Sequence, residues 1–337
     1  MPFRDTERRP EAERAPQNLP IENELKIKRV YQTEPIDPTS WAYMRALRQF
    51  GATKKVYPVD PYVEVYQLQE NVYGLLTENA DGMGDPWMYL VVGPEKALLI
   101  DTGFGIGDLK GLCDTLTGDK ELIIANTHSH PDHAGGNAQF DRVYCHESDA
   151  PALEAQNENM WDYLFEHGDR KSGRGIWSEF DEKDIIAFTP FETVACPDGY
   201  KFDLGGGHTV ELVHLGGHSP GSCAFLDPTT ESLFTGDDLL SMRVGVFGGG
   251  HKHATIGTMR AGFERLAARK SEFKHVYPGH FVTDLENVTV DAMLDACNAI
   301  CTDPEGNASY KVEGPRGTQL FRYVEGLGTI AYNVNCI

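Results

Sequence analysis

No apolar run in this 337-residue chain approaches the roughly 20 residues that a bilayer-spanning helix needs. The opening Met1-Pro2-Phe3-Arg4-Asp5-Thr6-Glu7-Arg8-Arg9 lacks the apolar stretch of an export signal, so a cytoplasmic protein with no membrane partner is expected. No two cysteines are spaced C-x-x-C, and the seven present (113, 145, 196, 223, 297, 301 and 336) are odd in number, which argues against a disulfide framework. Cys297 and Cys301, four apart, read as packing on one helix face. Basic residues are scarce beyond residue 56. There 19 Lys and Arg meet 43 Asp and Glu, a charge of −24, whereas residues 1–56 hold 11 and 8, a charge of +3. Such an acidic body repels phosphate backbones, and nucleic acid is excluded as a partner.

Histidine is concentrated instead. His128-Ser129-His130-Pro131-Asp132-His133 places four imidazole or carboxylate groups within six residues. His218, Asp237 and His280 follow, each beside glycine in turn-like sequence. Divalent borderline metals bind imidazole nitrogen and carboxylate oxygen, and a catalytic site leaves one position free for water. Two apart in an extended segment, His128 and His130 can point the same way. Past Pro131 the chain can turn into a helix through Ala134-Gly135-Gly136, aiming Asp132 and His133 at a second ion. His146, His167, His208 and His214 lack such context and read as ordinary core or surface residues. His275 is expected to end the last buried strand.

Asp101 ends the apolar run Ala97-Leu98-Leu99-Ile100, which reads as a strand buried on both faces. A carboxylate there is costly without partners. It either caps the following turn or accepts a hydrogen bond from a metal-bound histidine.

Five segments in order, Leu98-Leu99-Ile100-Asp101-Thr102-Gly103, Asn126-Thr127-His128 through Gly136-Asn137, Gly217-His218-Ser219-Pro220-Gly221-Ser222, Thr235-Gly236-Asp237 and Pro278-Gly279-His280, resemble the signature of the metallo-β-lactamase fold superfamily, in particular its glyoxalase II and lactonase-like branches. The resemblance implies an α/β fold, the αβ/βα sandwich, here with an N-terminal extension. It implies that His128, His130 and His218 bind one metal, that Asp132, His133 and His280 bind a second, and that Asp237 bridges them. It favours the role of Asp101 as partner to a metal-bound histidine. Two divalent ions are implied, zinc first, with iron or manganese compatible with such donors. The implied activity is hydrolysis of a small ester, thioester or lactone by a metal-bound hydroxide, with Asp132 as a candidate proton carrier. The rivals are a mononuclear-iron oxidoreductase resembling persulfide dioxygenases, and a β-lactamase or phosphodiesterase of the same fold.

The resemblance spans roughly residues 60–300. Residues 1–56 are expected to form an arm with a short amphipathic helix, Trp41 to Phe50, between Ser40 and Gly51. The apolar stripe of that helix needs a surface to cover, and a second subunit is one candidate, giving a homo-oligomer. Residues 57–337 are read as the catalytic domain. Strands are expected at Val63 to Leu68, Met88 to Val92, Ala97 to Ile100 and Leu122 to Ala125, and helices near Gly105 to Leu116, Ser148 to Glu158, Ile256 to Lys270 and Leu285 to Ile300. Leu320 to Val324 and Thr329 to Asn333 read as a hairpin. An insertion at about 150–190 either packs its aromatics on the body or encloses a small-molecule substrate; Trp161, Tyr163, Arg243 and His251 are the candidate contacts, with a plain surface role as the alternative for His251.

Overall fold

Strand alternation sends Leu98 and Ile100 to one face and Ala97 and Leu99 to the other, and all four are fully buried. A strand that is apolar on both faces must lie inside a layered structure, covered from above and below. The computed structural model describes residues 26, 28–29, 53–78, 80, 84–118, 120–159, 161, 178–248, 250–314 and 317–337, and it shows that layering.

The first pairing is a short antiparallel ribbon of β1 (Lys28–Arg29) with β9 (Ser178–Glu179). An eight-stranded sheet follows, built from β2 (Lys55–Tyr57), β3 (Asp60–Gln69), β4 (Val72–Thr77), β5 (Trp87–Val92), β6 (Lys96–Ile100), β7 (Glu121–Ala125), β8 (Arg142–His146) and β10 (Glu192–Cys196). From β2 to β6 it is an antiparallel meander, and from β6 through β7 and β8 to β10 it is parallel. The second sheet holds β11 (Lys201–Asp203), β12 (Thr209–His214), β13 (Cys223–Asp227), β14 (Ser232–Gly236), β16 (His275–Pro278) and β17 (Leu285–Glu286). A third joins β15 (Arg243–Val246) to β20 (Thr329–Tyr332), β19 (Gly317–Tyr323) and β18 (Tyr310–Gly314).

Leu98 and Ile100 pack with Tyr89, Phe225, Phe234 and Tyr277, so the inner faces of the two large sheets share one core. Ala97 and Leu99 face outward onto Leu109, Leu112 and Cys113 of helix α1 (Leu109–Thr117). Two short helices, α2 (Pro131–Ala134) and α3 (Ala150–Glu154), follow β7 and β8. Val213, Ala224 and Leu226 of the second sheet belong to a separate cluster with α4 (Ile256–Ala267), α5 (Val288–Thr302) and the third sheet. Helix, sheet, sheet and helix are therefore stacked in the expected αβ/βα order.

Several boundaries differ from expectation. Helix α1 begins at Leu109 rather than near Gly105, because Gly105 and Gly107 have positive φ and the Asp108 carboxylate accepts the Gly111 N–H as a cap. The helix expected from Leu285 starts at Val288, since Leu285–Glu286 pairs with β16 as a strand. His275 opens β16 instead of ending it, and its Nδ1 lies 2.6 Å from Asp284 Oδ1. The C-terminal hairpin is present as β19 and β20, although it belongs to a four-stranded sheet whose β15 and β18 were not foreseen. The expected helix Trp41 to Phe50 lies outside the described residues. Among the described residues, no helix is long and apolar enough to cross a membrane.

Candidate metal centre

Four strand ends meet on one edge of the sandwich. The loop after β7 and helix α2 carry His128, His130, Asp132 and His133, the loop after β12 carries His218, Asp237 follows β14, and His280 follows β16. Three groups of donor atoms result, each within 4.8 Å: His128 with His130 and His218, Asp132 with His133 and His280, and His128 with His133 and Asp237. The first two bring together the residues of the two triads that the family resemblance implies. Asp237 lies between them, with its carboxylate oxygens 3.3 Å from His133 Nε2 and 3.5 Å from both His218 Nε2 and His280 Nε2.

The hydrogen bonds on the outer side of each ring define which nitrogen faces inward. His133 Nδ1 donates to Asp101 Oδ2 at 2.9 Å, and His280 Nδ1 donates to the Asp85 carbonyl at 3.2 Å. His218 Nδ1 donates to the Gly245 carbonyl at 2.8 Å. The Thr127 hydroxyl donates to Asp101 Oδ2, so it accepts from His128 Nδ1 at 3.0 Å. In all four rings Nε2 is left pointing into the site. His133 Nε2 and His280 Nε2 are 3.1 Å apart. Two lone pairs at that distance repel, so a single proton or a cation must sit between them. His128 Nε2 and Asp237 Oδ1 are buried without any hydrogen-bond partner, a costly state unless a cation completes it. The donor set thus fits divalent metal.

Electrostatics separate the two triads. Burial pushes the His128 imidazole well down and His130 to about 4, keeping both neutral as coordination requires. In the second group burial is opposed by carboxylates. His280 is lowered by burial, yet Asp237 and Asp132 raise it to about 10 overall, and Asp132, pushed up by burial, is drawn to about 2 by His133 and His280. A proton held in this pocket would be exchanged for a cation, so metal uptake there releases acid.

Asp101 makes the hydrogen bond that sequence reasoning assigned to it. Its φ of 65° is unusual for a non-glycine residue, and it turns the carboxylate so that Oδ1 accepts the Thr127 N–H at 2.7 Å while Oδ2 reaches Thr127 and His133. Gly279 is needed beside it: a Cβ there would lie 2.5 Å from Asp237 Oδ1 and 2.9 Å from His133 Cε1.

The proposed substrate contacts are less concentrated. Trp161 is buried between Phe104 and Phe180, with ring centroids 6.3 and 5.3 Å away, and it also lines a cleft of about 620 Å³. Ser129 and Pro131, which alternate with the ligand-type residues, line the same cleft together with Ala155, Ile185 and Phe188. Arg243 is exposed at the start of β15, and His251 is exposed in a turn beside His253; neither belongs to a donor group. Tyr163 lies outside the described residues. The carbonyls of Asp85 and Gly245 leave no mark in the sequence, since any residue type could supply them. It also did not single out Asp149, whose carboxylate accepts the Ser129 N–H at 2.9 Å.

The sequence profile of the Metallo-beta-lactamase superfamily matches residues 81–280. Acyl-coenzyme A thioesterases from Bos taurus and Homo sapiens are 32% and 31% identical over 161 and 162 residues, 44% of this chain and 57% of theirs. An atrochrysone carboxyl ACP thioesterase from Aspergillus terreus is 28% identical over 182 residues, 52% of this chain and 46% of its own. The chain thus spans about half the length of the curated relatives it matches. A solved metallo-beta-lactamase from Pontibacter korlensis superposes on 70% of this chain and 99% of its own at a TM-score of 0.48 and 20% identity. With the profile covering more than half of its length, and every donor of the two triads inside that span, this chain belongs to the metallo-β-lactamase superfamily.

Proposed function

We propose that the protein is a metal-dependent hydrolase of a small thioester or ester, with lactones as a further substrate class. The observation that carries the reading is the pair of triads converging on Asp237, with orphaned inward-facing nitrogen and oxygen atoms. Thioesters come first because three of the relatives bear thioesterase names.

His128, His130 and His218 would hold one divalent ion and Asp132, His133 and His280 the other, with Asp237 shared. Bound there, two such ions acidify a water molecule and polarise a carbonyl. The chain's own contribution is positional. Asp101 and the carbonyls of Asp85 and Gly245 fix the tautomers of His133, His280 and His218, so that Nε2 is the free donor in each. Asp132 is held ionised beside His280 Nε2 at 3.2 Å, placed to take up a proton and return it to the leaving group. His128 is buried while His130 and His218 are partly open, so substrate enters on their side. The cleft flanking the histidine loop receives the acyl portion against its apolar wall of Pro131, Trp161, Ile185 and Phe188, and its size suits a small ligand.

The test combines metal analysis with a panel of acyl-coenzyme A thioesters, simple esters and lactones. Two metals per chain and thioester turnover are expected. Asp237→Ala should lower turnover by more than the roughly 10 to 100-fold typical of residues that only orient ligands. One tightly held iron with sulfide-dependent oxygen uptake would replace this reading with the oxidoreductase one.

A further inference from the structure

The loop with His128 and His130 and the loop with His218 leave different sheets; the Cys223 N–H joins them at the Thr127 carbonyl, 2.9 Å away, and a residue of neither loop bridges them nearer the histidines. Asp149 stands just before α3 with its side chain buried. An aspartate at a helix start ordinarily caps the first turn, yet this side chain makes no capping bond. Its acceptors are spent across the two loops instead. Oδ2 accepts the Ser129 backbone N–H at 2.9 Å and the Ser219 hydroxyl at 2.8 Å, and Oδ1 accepts the Gly221 N–H at 2.6 Å. Ser129 lies between His128 and His130, and Ser219 follows His218.

Space at this junction is as restrictive as its hydrogen bonding. A Cβ on Gly221 would lie 2.6 Å from Asp149 Cβ and from its backbone nitrogen, so only glycine lets the loop come this close. Behind it, His146 and His214 stack with centroids 3.8 Å apart and planes within 4°. His214 Nε2 donates to the Pro220 carbonyl at 2.9 Å, which anchors the same loop from its other side. Asp101 plays the corresponding part elsewhere, reaching His133 directly and His128 through Thr127.

We propose that Asp149 is a positioning residue for the triad of His128, His130 and His218, clasping its two loops so that His130 Nδ1 and His218 Nε2 stay at their 3.0 Å separation. The inference rests on the proposed metal centre. Loss of the clasp loosens the His218 loop against the loop of His128 and His130, leaving His218 with its bonds to Gly245 and Asp238, while the supports of Asp132, His133 and His280 are untouched. Metal affinity should therefore fall at one site only.

Asp149→Asn tests this with little change in volume. Its amide nitrogen must face either the Gly221 N–H or the Ser129 and Ser219 donors, so one side of the clasp opens. Zinc affinity is measured by competition with a chromophoric chelator in three backgrounds: wild type, His130→Ala and His280→Ala. The expected result is a 10 to 100-fold loss at one of two sites in the wild-type background. The same loss should persist with His280→Ala and vanish with His130→Ala, whose triad is already incomplete. Equal weakening of both sites, no weakening, or loss that persists with His130→Ala would overturn the proposal. Ser219→Ala, which keeps the carboxylate and both backbone bonds, should give a smaller loss with the same background pattern; it decides the matter if Asp149→Asn does not fold. A wild-type protein that binds no metal at either triad would defeat the metal-centre reading itself, a result distinct from two intact sites indifferent to Asp149.

Discussion

Asp60 opens β3 with its carboxylate fully enclosed; Oδ1 accepts the Tyr62 N–H at 3.1 Å, and Oδ2 has no partner. Burial, helped by the charge of Asp108, raises its pKa from 3.8 to about 7. The folded protein therefore keeps this proton over a range where the unfolded chain has released it. Between about pH 4 and 7 the native state binds more protons, so this group's contribution falls as pH rises. Asp60→Asn should remove that slope and be more stable than wild type at pH 8, by at most about 4 kcal/mol. Urea unfolding of both proteins at pH 5 and pH 8 checks it, and parallel pH dependence would refute it. Residues of this kind also show what the sequence conceals. The ligand-type residues were legible because histidine and aspartate at those spacings carry a specific chemistry. Asp149 was not, because Asp149-Ala150-Pro151 looks like an ordinary helix start while its partners lie 20 to 72 residues away.

Among the elements, strands were easier to anticipate than helix limits. Runs such as Ala97 to Ile100 are apolar at every position, and burial on both faces follows directly. Helix limits depend on side-chain caps and on competing strand pairings, as α1 and α5 show. The insertion presents a similar ambiguity, since an aromatic residue can pack, bind substrate or do both. Trp161 packs against Phe104 and Phe180 while lining the cleft. Trp161→Ala should therefore cost about 3 kcal/mol or more of stability and also alter the ranking of acyl substrates by chain length. Thermal melts and a chain-length series measure the two effects. A lower melting temperature with all rates falling in proportion would leave Trp161 a packing role alone.

For the whole molecule, the layered order was readable because the motifs fall at strand ends in both halves of the chain. How the positively charged arm meets the acidic body was not, since charge balance does not distinguish its own chain from a neighbour. Lys28–Arg29 pairs with Ser178–Glu179 of the same chain, the Lys26 N–H donates to the Pro61 carbonyl at 2.6 Å, and Lys26 Nζ forms an ion pair with Asp184. The arm thereby ties down the segment that leads to Ile185 and Phe188 of the cleft. Deleting residues 1–29 should leave the oligomeric state unchanged and hasten proteolysis between residues 178 and 190. A smaller number of chains per particle would assign these residues to assembly instead.

The donors of the site are shared between the sheets: those before residue 134 follow strand β7 of the first sheet, and His218, Asp237 and His280 follow β12, β14 and β16 of the second. Neither half can build a triad alone. During synthesis, a nascent chain that has emerged only as far as β8 can offer a cation His128 and His130, or Asp132 and His133, and nothing to close the cage. The first triad can close only once His218 has emerged behind β12, and the second only once His280 has emerged behind β16. Were the triads loaded, cations held across the two sheets would favour the docked sandwich over its separated halves.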